Sequence, residues 1–178
     1  MSFYYKMTLS IISKEVGPVT TIPPPHAMTA GGPLMDTGFL IGPTITATHT
    51  PSNAPALDIL IVPGGEGNVV LSQANDTWVE DFVATRYSQL DYLLSVCTGA
   101  VSLAKSGVLD GKSATTNKSA WSWVTTFGKN VTWVPSARWT VDGNVWTSSG
   151  VAAGEIIYSL VVSVPTEAGK FKLISNRS

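Results

Sequence analysis

Residues 92–100 read Tyr-Leu-Leu-Ser-Val-Cys-Thr-Gly-Ala, and this stretch decides the fold. Tyr92 to Val96 is a short, nearly continuous apolar run, the signature of a strand buried inside a parallel sheet. It breaks sharply at Cys97-Thr98-Gly99, after which Ala100 to Ser106 reads as a helix, with Gly107 capping it in the left-handed conformation. A strand that turns straight into a helix exposes the side chain at the turn. It also aims the first helix N–H groups toward that side chain, which favours an anionic sulfur at Cys97.

Working outward, the same grammar repeats. Asp58 to Pro63 (Asp-Ile-Leu-Ile-Val-Pro) reads as another strand buried on both faces, ending in the backbone-exposing loop Gly64-Gly65-Glu66-Gly67. Trp78 to Thr85 has helical spacing with Trp78 and Phe82 inward, Lys112 to Thr116 reads as a short strand, and Ala120 to Phe127 as a short helix. Asp142-Gly143, set between Trp139-Thr140-Val141 and Val145-Trp146-Thr147, marks a hairpin over Arg138 to Ser148. Gly150 to Val164 reads as a helix, and the alternation Tyr5, Met7, Leu9, Ile11 as a strand over Tyr4 to Ser13. Gly17 to Pro55 is rich in Pro, Thr and Gly, with short apolar pieces such as Phe39-Leu40-Ile41, which fits short strands or hairpins joined by loops. Strands alternating with helices give an α/β sandwich with a mostly parallel sheet, one domain over residues 1–178.

Composition narrows the function classes. A chain of 178 residues with 44% hydrophobic and 13% charged residues can bury a core. A formal charge of −1 and no basic stripe argue against nucleic acid or an anionic membrane as partner. The single cysteine forms no internal disulfide, and no signal-like segment opens the chain, so the reading is a cytoplasmic protein. The apolar stretch Ile156 to Val164 is too short to span a bilayer. By base rate the six tryptophans are mostly core, with one or two walling an apolar pocket.

In an open α/β sheet, ligands bind at the carboxyl ends of the strands, where Cys97 would sit. The Gly64-Gly65 loop follows a neighbouring strand, and its backbone N–H groups could bind a developing anion without side chains in the way. Against this stands a space-filling role, since free cysteine is among the most buried residue types. His26 and His49 lie in loops distant in sequence from Cys97, and two His with one Cys do not give a zinc-ligand spacing. No metal or other cofactor is expected. Ser102-Leu103-Ala104-Lys105 matches Ser-x-x-Lys without companion motifs, and Gly64-Gly65-Glu66-Gly67 fits no nucleotide fingerprint.

Val62-Pro63-Gly64-Gly65, Ser95-Val96-Cys97-Thr98-Gly99-Ala100, Ala114-Thr115-Thr116-Asn117 and Ser149-Gly150-Val151-Ala152-Ala153-Gly154 stand in an order and spacing that resembles the ThiJ/PfpI superfamily. That superfamily shares its fold with class I glutamine amidotransferases. The resemblance implies a three-layer sandwich with a mostly parallel, flavodoxin-like sheet. Peptidase-like members place His directly after the cysteine; Thr98 stands there in this chain, which resembles the isonitrile hydratase branch. That branch implies a lyase in which Cys97 attacks an isonitrile and water releases an N-substituted formamide. Thr98 would orient the site by hydrogen bonding, Gly65 would offer a backbone donor beside Gly64 in the oxyanion or substrate-binding loop, and Asn117, Gly150 and Val151 would line the pocket.

Two features depart from the family pattern. The chain opens at what resembles the family's second strand, so the first strand and helix are expected to be absent, and with them a carboxylate beside the cysteine; Glu15 and Asp36 are the nearest in sequence. After Pro165 the residues do not resemble the family's closing helix, and a truncated product is expected. A homodimer is expected on resemblance. Three other readings stay open: a ligand-binding module without turnover, a redox or carbonyl-stress protein acting through Cys97, and an inactive family fragment.

Overall fold

Two aliphatic segments, Ile59–Val62 (β3) and Tyr92–Val96 (β4), lie side by side in parallel, with Ile59 opposite Tyr92 and Val62 opposite Ser95. The structure, a computed structural model, describes residues 8–20 and 42–155. Before β3 come Gly17–Thr20 (β1) and Thr44–Ala47 (β2), an antiparallel pair of their own. After it come the helices Glu66–Gln73 (α1) and Trp78–Arg86 (α2), then β4, a 3-10 turn at Cys97–Gly99, and the helix Ala100–Lys105 (α3). Ser113–Ala114 (β5) and Thr132–Trp133 (β6) form a small parallel pair around the helix Trp121–Val124 (α4). Trp139–Asp142 (β7) and Val145–Ser148 (β8) close the described chain as a hairpin, followed by a helical segment at residues 151–155.

The main sheet runs β3-β4-β8-β7, parallel except for the antiparallel β7. Its two faces follow the period of two along each strand. One face turns Val62, Leu93 and Val145 toward Val83 of α2 and Leu103 of α3 in a buried cluster. The other gathers Leu94 and Trp146, with Ile59, Tyr92, Trp139 and Val141 packed against them. The segment at 151–155 covers this second face: a Cβ added at Gly154 would lie 2.8 Å from Val96 Cγ1. Helices on both faces make the α/β sandwich that the sequence implies. Leu103 is fully buried at its centre, a position where truncation to Ala costs about 2–5 kcal/mol.

Several local expectations meet a different outcome. The expected strand over Tyr4 to Ser13 contributes, within its described part, one parallel bridge between Ile12 and His49. Segment β3 is not covered on both faces, since Ile61 is 39% exposed; an edge position within the described sheet, not the aliphatic pattern, decides this. Helix α1 begins at Glu66, inside the glycine run read as loop, and is held by the buried Val69 rather than by helix propensity. The hairpin turn is Gly143-Asn144, one residue later than the Asp142-Gly143 reading, because Asp142 still pairs with Val145. Gly143 takes φ +62°, as a glycine-first two-residue turn requires. Of the tryptophans only Trp146 is fully buried; the others are half-buried. His26, Asp36, Phe39-Leu40-Ile41, Ile156 to Val164 and the segment after Pro165 lie outside the described residues.

Candidate active site

Cys97 stands at φ +60° between β4 and α3, a left-handed backbone that a side-chain-bearing residue adopts only at a cost of about 1–3 kcal/mol. Tight packing around the turn fixes that conformation. A Cβ at Gly99 would lie 2.3 Å from the Val62 carbonyl oxygen, and one at Gly64 would lie 2.6 Å from Thr98 N and 2.8 Å from Cys97 Cβ. Only glycine at both positions lets the end of β3 and the turn meet. The thiol itself is free and partly exposed.

Thr98 is buried and serves the loop after β3. Its Oγ1 accepts the Gly65 N–H at 2.8 Å and lies 3.0 Å from the Oδ1 of buried Asn68 on α1, to which it donates. The Gly65 N–H, expected to face a substrate, is therefore engaged by Thr98. At Gly64 the missing side chain leaves the space into which the turn packs.

A second loop reaches the cysteine from the other side. Thr115 N–H donates to Thr147 Oγ1 at 2.7 Å, tying β5 to β8, and Thr116 Oγ1 donates to the Cys97 carbonyl at 2.9 Å. Asn117 follows, and its Nδ2 donates to Cys97 Sγ at 3.1 Å. The amide is held by its other end: Oδ1 accepts from Ser119 N at 2.9 Å, Ser119 Oγ at 2.5 Å and Ala120 N at 3.2 Å. Next to it, Lys118 Nζ donates to Thr115 Oγ1 at 2.8 Å and lies 4.7 Å from the Trp121 ring centre. Burial lowers the Lys118 pKa below the ordinary lysine value.

Cys97, Thr98, Gly64, Gly65 and Asn117 are thus brought together. Gly150 and Val151 lie at the same end of the sheet, just beyond the Val96–Ser148 pair, but no hydrogen bond joins them to the cysteine, and Val151 is 72% exposed. Glu15 is exposed, and His49 Nδ1 lies 2.8 Å from Thr48 Oγ1, in another part of the fold. Ser119 was missed at the sequence level. Its signal is the Asn-x-Ser spacing before a short helix, where an Asn side chain caps the N–H groups two and three residues on. Among the described residues no group of three or more His, Cys, Asp or Glu is placed to hold a metal ion, and no helix is long and apolar enough to cross a membrane.

A model of the DJ-1/PfpI family matches residues 37–162. The isonitrile hydratase of Pseudomonas putida is 36% identical over 119 residues, 66% of this chain and 48% of that relative. A ThiJ/PfpI family protein from Pseudomonas syringae superposes with TM-score 0.58 at 25% identity, covering 87% of this chain and 55% of that one. A ThiJ/PfpI domain protein from Brachyspira murdochii gives TM-score 0.59 at 16% identity, over 88% of this chain and 80% of that one, a likeness of fold alone. The chain spans about half the length of the curated relative it matches.

Proposed function

The chain belongs to the DJ-1/PfpI family, and from that premise we propose that it hydrates an isonitrile to an N-substituted formamide with Cys97 as nucleophile. The observation that carries the reading is the Asn117 donor on Cys97 Sγ at 3.1 Å, at a turn that holds the sulfur partly open. The hydratase relative from Pseudomonas putida supports the substrate class.

In the proposed reaction the Cys97 thiolate attacks the terminal carbon of R–N≡C, forming the C–S bond. That carbon takes a proton, giving the thioimidate R–N=CH–S–Cys97. Water adds to the same carbon as the nitrogen takes up a proton. The C–S bond then breaks as the C=O forms, returning the thiolate and releasing R–NH–CHO. The sum is one water added to one isonitrile, with no external oxidant or reductant. Asn117 Nδ2 would stabilise the sulfur anion at the start and at the end of this cycle. Thr98 would keep the Gly64-Gly65 loop closed against the turn. Gly150 and Val151 would border the substrate at the same sheet end.

Formamide production from an alkyl isonitrile, followed by chromatography, tests the reading: Cys97→Ala should abolish it, and activity surviving that change would sink the idea. One observation favours a second reading. Among the described residues the sulfur's hydrogen-bond partner is a neutral amide that donates but does not take up protons, which also suits a domain that captures an electrophile at Cys97 without releasing product. A stable covalent adduct with no formamide would mark that case. A cytoplasmic location and a homodimer belong to the same proposal; sedimentation of the purified chain reads the latter.

A further inference from the structure

Asn117 has an amide whose two ends do different work. Three donors converge on Oδ1, two from Ser119 and one from Ala120, at 2.9, 2.5 and 3.2 Å. An amide flip would set the NH₂ group against those donors, so the surroundings permit one orientation. That orientation sends Nδ2 to Cys97 Sγ. The sulfur end can act only as a donor, and a donor at this distance stabilises a thiolate more than a thiol. The Ser119 side chain is solvent-exposed and does not hydrogen-bond the sulfur, yet its hydroxyl makes the shortest of the three contacts that orient the amide.

We propose that Ser119 and Asn117 form a two-residue positioning device that sets the thiolate population of Cys97, Ser119 acting through the amide and Asn117 directly on the sulfur. This rests on the reading of Cys97 as the reactive nucleophile, but not on the isonitrile being its substrate. Asn117→Asp separates the electrostatic role from the structural one. An aspartate keeps an oxygen for the Ser119 and Ala120 donors while replacing the sulfur's donor with a negatively charged oxygen.

The test is the pH dependence of Cys97 alkylation by iodoacetamide, read by mass spectrometry, with thermal melting as the folding control. For Asn117→Asp the profile should move to more alkaline pH and the rate at neutral pH should fall about tenfold. The alkaline plateau should hold or rise, because a less stabilised thiolate is the stronger nucleophile. Ser119→Ala should move the profile the same way with a loss of about two- to threefold, since one of three orienting contacts is removed. Ser119→Thr, which keeps the hydroxyl, should restore it. Profiles of Asn117→Asp and Ser119→Ala that superpose on the wild type overturn the proposal. So does a plateau that collapses while the midpoint stays in place, which is the mark of blocked access. If Asn117→Asp does not melt cooperatively, the Ser119→Ala and Ser119→Thr pair decides alone. A wild type that makes no formamide while the alkylation series behaves as stated refutes the hydratase reading and leaves this device standing. The reverse pattern refutes the device and leaves the hydratase.

Discussion

The two loops that meet Cys97 are built on opposite principles. The loop after β3 contributes absence: Gly64 has no side chain, so the turn can approach, and the Gly65 N–H is consumed by Thr98. The loop after β5 contributes presence, as Thr116 holds the Cys97 carbonyl and Asn117 holds its sulfur. The first loop fixes where the cysteine is, and the second sets what its sulfur can do. Stability and reactivity should therefore respond to different substitutions.

The largest effect should come where the turn at Cys97–Gly99 packs on the end of β3. Gly99→Ala would put a Cβ 2.3 Å from the Val62 carbonyl oxygen, against backbone that has no rotamer to yield. A loss of about 3 kcal/mol or failure to fold is expected, at the upper end of overpacking costs, and denaturant melting measures it. A Gly99→Ala protein as stable as the wild type would mean that the contact between the turn and β3 is loose. Thr98→Val should come next. It leaves the Gly65 N–H and Asn68 Oδ1 without their partner, at a cost of about 1–3 kcal/mol in the same assay. If Thr98→Val instead changes alkylation of Cys97 with stability intact, the division of labour between the loops fails.

Substitution of Asn117, half-buried in the second loop, should barely move the melting curve. Asn117→Asp should lower neutral-pH alkylation about tenfold at a stability change within about 1 kcal/mol; a large loss of stability would merge the two loops into one structural unit. The smallest effect concerns Lys118. Burial lowers its pKa, so folding disfavours the ammonium. That penalty is present in full below the folded-state pKa and fades as the pH rises toward the ordinary lysine value. Relative to Lys118→Met, the wild type should therefore gain stability as the pH is raised from neutral toward about 10. Parallel pH–stability curves for the two proteins would contradict the direction.

What the sequence made legible follows the same division. The strand, turn and helix around Cys97 are local events, and apolar periodicity with two glycines is enough to read them. The Gly64-Gly65 loop is legible because a glycine pair after a buried strand has few other uses. The direction of the Gly65 N–H was not, because it depends on which rotamer Thr98 takes 33 residues away. Resemblance places Asn117 at the site, but the Asn-x-Ser spacing that holds its oxygen does not say that the other end of the amide meets the sulfur. Helix α1 escaped because glycine at 65 and 67 argues against helix locally, while burial of Val69 decides the matter in the fold. The exposure of Ile61 escaped because an aliphatic run looks the same in the centre of a sheet and at its edge.

One measurement reaches the central claim directly: intact-protein mass and formamide yield after the chain is mixed with an alkyl isonitrile. Formamide is expected from the wild type, with a transient adduct of one isonitrile on Cys97, and neither from Cys97→Ala. Absence of formamide from the wild type, or an equal yield from Cys97→Ala, would contradict that claim.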